Sequence, residues 1–441
     1  MTSRKVNREE EEEEHLFDDL DLDRNPPPKD PRVDELVNEH MHELGARLPK
    51  GKDRERVPGA AVAVIQGMKL VHLNCYGYAN LETAAKITPA TIFDLGSLSK
   101  QFTAIAVLDL VNRGRIDLKD PLSKFFKGFP RYADAVTVED LIHHTSGLPD
   151  YTDIYVASRR AEKDWYDAAM ARPDEWYPQM RPGKREISNK EVIEWIATQT
   201  LLPAAPDTEF NYCNSGYVVL AALVEKVARR RFSEHLRKKL FTQFDMNDTY
   251  VFDEACRFSS DAPEVVNHAR CYNLVEGEGF VPVGYTPMNF TNGDGNVHST
   301  IVDLAKWAKL LTYLDDELRK TLWAPVQLKS RKHVNYGWGW NLLSEKYEGK
   351  VKGKPGTVKY ESRAEFHHGV WLAWRSNMAR GSRWPVPKPG KPVDPKTRES
   401  LDIIVLSNTN LFKSGIMTQM TQSISRVYWG PLKKDNIMNY F

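Results

Sequence analysis

Residues 93–114 read "FDLGSLSKQFTAIAVLDLVNRG", two serines and a lysine at the head of an apolar run. Phe102, Ile105, Val107, Leu108, Leu110 and Val111 predict a buried helix. Gly114 suits the left-handed position that ends one. One serine serves as an N-cap, which leaves Lys100, one turn in, unexplained. Positions i and i+3 share a helix face, so Ser97 and Lys100 are neighbours. A serine hydroxyl is a weak nucleophile until a base takes its proton. An amine held unprotonated beside it is such a base. The helix N-terminus adds a backbone N–H and a partial positive charge, which would stabilise an anionic tetrahedral intermediate. The same spacing fits a capping serine followed by a solvated lysine, so the rest of the chain has to decide.

Two further stretches bear on it. "FNYCNSGYVVLAALVEKV" places Tyr212 and Asn214 just before a helix, where both can point into one cleft. The phenol would share a proton with the lysine and pass it to a leaving group. The amide would orient substrate or hold the lysine. A core tyrosine with an asparagine helix cap is the plain alternative. "FHHGVWLAWRS" puts His367 and His368 before Gly369 on a predicted strand. The glycine lets a substrate approach the backbone, and the next N–H, from Val370, is a candidate second oxyanion donor. A metal site there would need further ligands at suitable spacing, and the other histidine pair, His143-His144, runs into a Thr-Ser-Gly turn. No metal is expected.

The order S-x-x-K, then Y-x-N, then a basic residue-x-Gly strand resembles the penicillin-recognising serine hydrolases. The likeness is nearest to the class C β-lactamase-related branch, which includes D-stereospecific peptidases, carboxylesterases and acyltransferases. "VPGAAVAVIQGMKLVHLNCYGYAN", "VTVEDLIHHTSGLPDY" and "GDGNVHSTIVDLAKWAKLL" extend it over most of the chain. The resemblance implies a β-lactamase-like α/β (α+β) fold: an antiparallel sheet flanked by helices, with an inserted, mostly helical lobe. It implies Ser97 as the acyl-accepting nucleophile, with Lys100 and Tyr212 sharing general-base and general-acid work. Asn214 would contact the substrate's acyl-side amide or support Lys100. The N–H groups of Ser97 and Val370 would form the oxyanion hole, and His367-His368-Gly369 would occupy the third-motif strand. True β-lactamases of this kind usually carry Lys-Thr-Gly there, and the lysine attracts the antibiotic's carboxylate. A histidine, mostly neutral at pH 7, attracts it less.

The bulk properties are ordinary for a soluble globular protein. The 441 residues are 41% hydrophobic and 27% charged, with a formal net charge of +1. This balance gives no support to a nucleic-acid or acidic-membrane partner, and no apolar stretch approaches the length of a membrane helix. Residues 1–30 hold six consecutive glutamates and three prolines. They read as an acidic, disordered tail, with docking through Leu16, Phe17, Leu20 and Leu22 as the alternative. The N-terminus lacks the apolar core of an export signal, so a cytoplasmic location and free thiols are expected for Cys75, Cys213, Cys256 and Cys271. The layout expected is a tail (1–30), a sandwich lobe (31–114 and 271–441) and an inserted helical lobe (115–270). Within it, 151–190 reads as an ordered insertion and the proline-rich stretch 381–400 as a surface loop.

The function expected is a serine hydrolase of carboxylesterase or amidase type, acting on a small ester, amide or lactam with no cofactor. The alternatives are an acyltransferase using the same acyl-enzyme, a true β-lactamase or D-amino-acid peptidase, and a catalytically silent binding protein.

Overall fold

The computed structural model describes residues 16–152, 188–252, 267–283, 291–350, 357–385, 399–410 and 414–429. Helix α1 (Pro31–Ala46) starts where Asp30 accepts the Arg32 N–H and Pro31 fills the first turn. Strands β1 (Ala60–Gln66) and β2 (Lys69–Tyr76) form the expected hairpin, turning at Gly67 with φ +64°. Short strand β3 (Phe93–Asp94) leads through a 3₁₀ turn, Gly96–Leu98, into helix α2 (Ser99–Asn112). Helices α3 (Val138–Ile142), α4 (Asn189–Thr198) and α5 (Asn214–Ala228) follow. Strands β4 (Tyr250–Val251) and β5 (Val297–Ser299) join β3 in a small sheet. Helix α6 (Ile301–Tyr313) precedes strands β6 (Asn341–Lys350), β7 (Thr357–Trp371), β8 (Trp374–Pro385) and β9 (Glu399–Ser407), and helix α7 (Ser414–Trp429) follows them.

The main sheet runs β6-β7-β8-β9-β1-β2, every neighbour antiparallel. The two ends of the chain meet at its centre, with Val62 opposite Val405 and Ala63 opposite Ile404. Strand residues alternate between two cores. Ala60, Val62, Val64, Ile403 and Val405 pack with Val33, Val37 and Met41 of α1 and Met417, Met420 and Ile424 of α7. Ala61, Ala63, Ile65, Ile404 and Leu406 face Leu304, Trp307 and Leu311 of α6. Covered on both faces, β1 reads as an unbroken apolar run and not as an alternation. Helix α2 is buried nearly all round, between the small sheet, α5 and α6. The antiparallel sheet with flanking helices is the expected fold class. Among the described residues no helix is long and apolar enough to cross a membrane.

Three local expectations change. "FHHGVWLAWRS" was expected as one strand but folds as the end of β7, a two-residue turn and the start of β8. The turn carries Leu372 at φ +47°, a position where leucine gives no turn signal. Of the expected loop 381–400, residues 381–385 finish β8 and residues 399–400 begin β9; residues 386–398 lie outside the described residues, as do 153–187 of the expected insertion. The expected tail is packed from residue 16 onward. Leu20 is 3% exposed and Phe17 packs against the core. Asp19 pairs with the buried Lys309 and accepts the Leu70 N–H, and Pro28 O accepts the Leu73 N–H.

Candidate active site

The nucleophile turn is held by its neighbours before any catalytic group is considered. Gly96 has φ +51°, and a Cβ there would lie 2.9 Å from Val370 N. A Cβ on Gly369 would lie 1.9 Å from Leu95 O and 2.1 Å from Ser376 Oγ. Glycine at both positions lets the turn and β7 touch backbone to backbone. Ser376 Oγ donates to Leu95 O at 2.6 Å, and the Gly96 N–H donates to Asp94 Oδ1 at 2.8 Å. Burial pushes the Asp94 carboxyl up to about 7. The two serines divide their work. Ser99 Oγ accepts the Val297 N–H at 3.0 Å and ties α2 to β5, while Ser97 faces Lys100.

Lys100 is fully buried, and its Nζ has three oxygen neighbours. They are Ser97 Oγ at 3.0 Å, Asn214 Oδ1 at 2.8 Å and the Asp294 carbonyl O at 2.8 Å. Two of these only accept hydrogen bonds; the serine hydroxyl also donates. The Ser97 hydroxyl therefore lies directly against the lysine amine, close enough for a proton to pass between them. Tyr212 lies beside them, with Lys100 Nζ 4.9 Å from its ring centroid. Asn214 is the first residue of α5, and its side-chain Nδ2 donates to Asp150 Oδ2 at 3.1 Å. The Asp294 side chain accepts from Tyr151 Oη at 2.7 Å. Burial raises its carboxyl to about 6, against the lowering effect of Lys100.

The β7 strand supplies the opposite wall. A two-residue hairpin closes on a hydrogen-bonded pair, here Trp371 with Trp374. The next pair, Val370 with Arg375, is then a non-hydrogen-bonded one, which leaves the Val370 N–H unused by β8, and Val370 N lies against Gly96. His367 is 3% exposed and committed at both ring nitrogens. Its Nδ1–H donates to His368 O at 2.7 Å, which leaves Nε2 to accept from Tyr336 Oη at 3.1 Å. Burial first, and then the Lys100 charge, push the imidazole down to about 3. Burial brings His368 down to about 4.

Sequence reasoning missed four residues that shape this group. His144 stacks on Tyr212 at 4.3 Å between centroids, accepts the Cys213 N–H at 3.1 Å on Nδ1, and is held well below the usual histidine range by burial. Tyr336 packs on His144 and Tyr212 as well as bonding His367. Asp150 and Asp294 hold the partners of Lys100. His144 and Asp150 lie in "HHTSGLPDY", Tyr336 in "YGWGWNL" and Asp294 in "GDGNVHS"; only the juxtaposition distinguishes them from ordinary turn residues. Among the described residues no group of three or more His, Cys, Asp or Glu is placed to hold a metal ion.

Comparison with known proteins identifies the family and the fold. A family model described as Beta-lactamase matches residues 33–385. Penicillin-binding protein 4* of Bacillus subtilis (strain 168) is 24% identical over 400 residues, covering 83% of this chain and 82% of that protein. The octameric penicillin-binding protein homologue from Pyrococcus abyssi superposes with a TM-score of 0.63 at 22% identity, over 93% of this chain and 79% of that one. D-amino acid amidase from Ochrobactrum anthropi SV3, solved with L-phenylalanine amide, gives 0.61 at 20% identity, over 90% of this chain and 97% of that one.

Proposed function

We propose that this chain, which belongs to the Beta-lactamase family of serine hydrolases, cleaves a small ester or amide through an acyl-enzyme on Ser97. The observation that carries the reading is the partner set of Lys100: two carbonyl oxygens that only accept, and one hydroxyl. Ser97 is the one of the three with a proton to give, and it lies 3.0 Å from Nζ. Ser97 Oγ attacks the substrate carbonyl as its proton passes to Lys100. The developing oxyanion takes hydrogen bonds from the Ser97 and Val370 N–H groups. The proton then moves through Lys100 and Tyr212 to the leaving group, and the carbonyl reforms as the Ser97 ester. Water, deprotonated by the same amine, releases the acid and regenerates Ser97.

The preference for a neutral substrate rests on His367. A buried imidazole with a pKa near 3 carries no cation where a β-lactam would present its carboxylate. A unit charge at 4 Å is worth about 4 kcal/mol at an effective dielectric of 20, before desolvation. After that cost, neutral p-nitrophenyl esters should be turned over at least tenfold faster than nitrocefin.

The test runs p-nitrophenyl esters, D-amino-acid amides and nitrocefin against wild type and Ser97→Ala. Wild type should turn over one of the neutral classes and carry an acyl mass on the Ser97 peptide. Ser97→Ala should lose turnover and keep its melting temperature, because Ser97 caps no helix end. An acyl mass on another residue would end this mechanism. Faster hydrolysis of nitrocefin than of the neutral esters would end the ester and amide preference.

A further inference from the structure

The Asn214 amide stands between two groups of opposite demand. Lys100 Nζ donates to one end, so that end is the oxygen. Asp150 Oδ2 accepts from the other end, so that end is the nitrogen. A half-turn of the amide would set N–H against N–H at Lys100 and oxygen against oxygen at Asp150.

Asp150 is itself fixed. Its Oδ2 also accepts the Asn214 backbone N–H at 2.7 Å, which caps α5 from outside the helix. Its Oδ1 accepts the Thr152 N–H at 2.9 Å and the Thr152 Oγ1–H at 2.7 Å. A continuous chain therefore runs from Thr152 through Asp150 and Asn214 to Lys100 and Ser97. The carboxylate lies at its far end and is the part that sets the amide's direction.

We propose that Asp150 is a positioning residue for Lys100. By holding Nδ2 it keeps the Asn214 carbonyl on the amine, which takes up one amine N–H and fixes Nζ beside Ser97 Oγ. This inference rests on the acyl-enzyme reading above. It assigns Asn214 to the support of Lys100, and it makes the loop after "HTSGLP" part of the proton-transfer apparatus.

A double-mutant cycle separates this role from a merely structural one. Asp150→Ala should lower kcat by about tenfold to a hundredfold, the loss expected when one hydrogen bond to a reacting amine is disordered. KM for a small p-nitrophenyl ester should change little. Asn214→Ala should lower kcat by a similar factor, and Asp150→Ala added to it should lower kcat no further. Asp150→Asn keeps an oxygen for Asn214 and should retain most of the activity. It also guards against Asp150→Ala failing to fold, which thermal melts would reveal. Wild-type kcat in Asp150→Ala, or a full additional loss in the Asn214→Ala background, would overturn the proposal. A wild-type enzyme that forms no acyl-Ser97 would instead overturn the acyl-enzyme reading, and this inference with it.

Discussion

At the scale of residues, the question raised by the apolar helix with a polar head has a local answer. Ser99 is a tether, Ser97 is the reactive candidate, and Lys100 tolerates burial because three oxygens surround its amine. The i, i+3 spacing made the Ser97–Lys100 pair legible from the sequence alone. Tyr212 and Asn214 were legible through the resemblance, but Asp150, Asp294 and Tyr336 were not, because each reaches the site from a separate segment. Proximity across 50 to 236 positions, the separations of these residues from Lys100, leaves no mark in a single sequence. A proton relay makes a prediction at this scale. Lys100→Ala and Tyr212→Phe should each cut kcat by orders of magnitude, and the double variant should be little worse than the worse single, since groups acting as a unit are strongly non-additive. Steady-state kinetics on the four proteins checks it. Losses that multiply in full would show two independent roles.

At the scale of elements, β1, β2, α2, α5 and α7 are legible from their apolar runs or periodicity, whereas the stretch before α1 is not. Residues 16–30 have no period, so charge and proline dominated their reading. The structure uses them differently: β2 is the open edge of the main sheet, and unpaired edges need cover. Asp19 and Pro28 take the Leu70 and Leu73 N–H groups on that edge, Leu20 fills a core position, and Asp19 neutralises Lys309, whose side chain is 2% exposed. Removing residues 1–25 therefore takes away both groups of that segment that hold the Lys309 amine, the Asp19 carboxylate and the Leu16 carbonyl. It also removes a buried leucine, worth roughly 2 kcal/mol or more. The melting temperature of the truncated protein should fall by several degrees. Its kcat at 25 °C should stay near wild type, because none of these residues touches the group around Ser97. Asp19→Asn should show a smaller part of the same shift. An unchanged melting curve for both would mean that Lys309 is satisfied without the strap.

At the scale of the whole molecule, the buried titratable groups set how the fold responds to acid, and two sets oppose each other. Eight described histidines are held below the usual range, chiefly by burial: His72, His143, His144, His235, His268, His298, His367 and His368. Between their folded values, about 4 for His268 and about 3 for His367, and the unfolded value near 6.5, the unfolded chain binds protons that the folded chain refuses. Stability from this set is complete above pH ~6.5 and is lost as the pH falls. Asp94, Asp294 and Asp303 are raised by burial to about 7, 6 and 6. They retain protons that the unfolded chain releases above pH ~4, so their contribution is lost as the pH rises from there towards 7. The histidines outnumber the aspartates across the shared window, and each unbalanced proton is worth roughly 1.4 kcal/mol per pH unit. The net sign is loss of stability on acidification. Calorimetric or fluorescence melts should show the highest melting temperature near or above pH 7 and a steep fall between pH 6 and 4. His298→Asn, which removes an imidazole that is fully buried and so resists protonation, should make that fall shallower even if it lowers stability at neutral pH. A melting temperature that climbs from pH 7 to pH 5 would mean that the aspartate protons dominate and that the buried histidines find room for their charge.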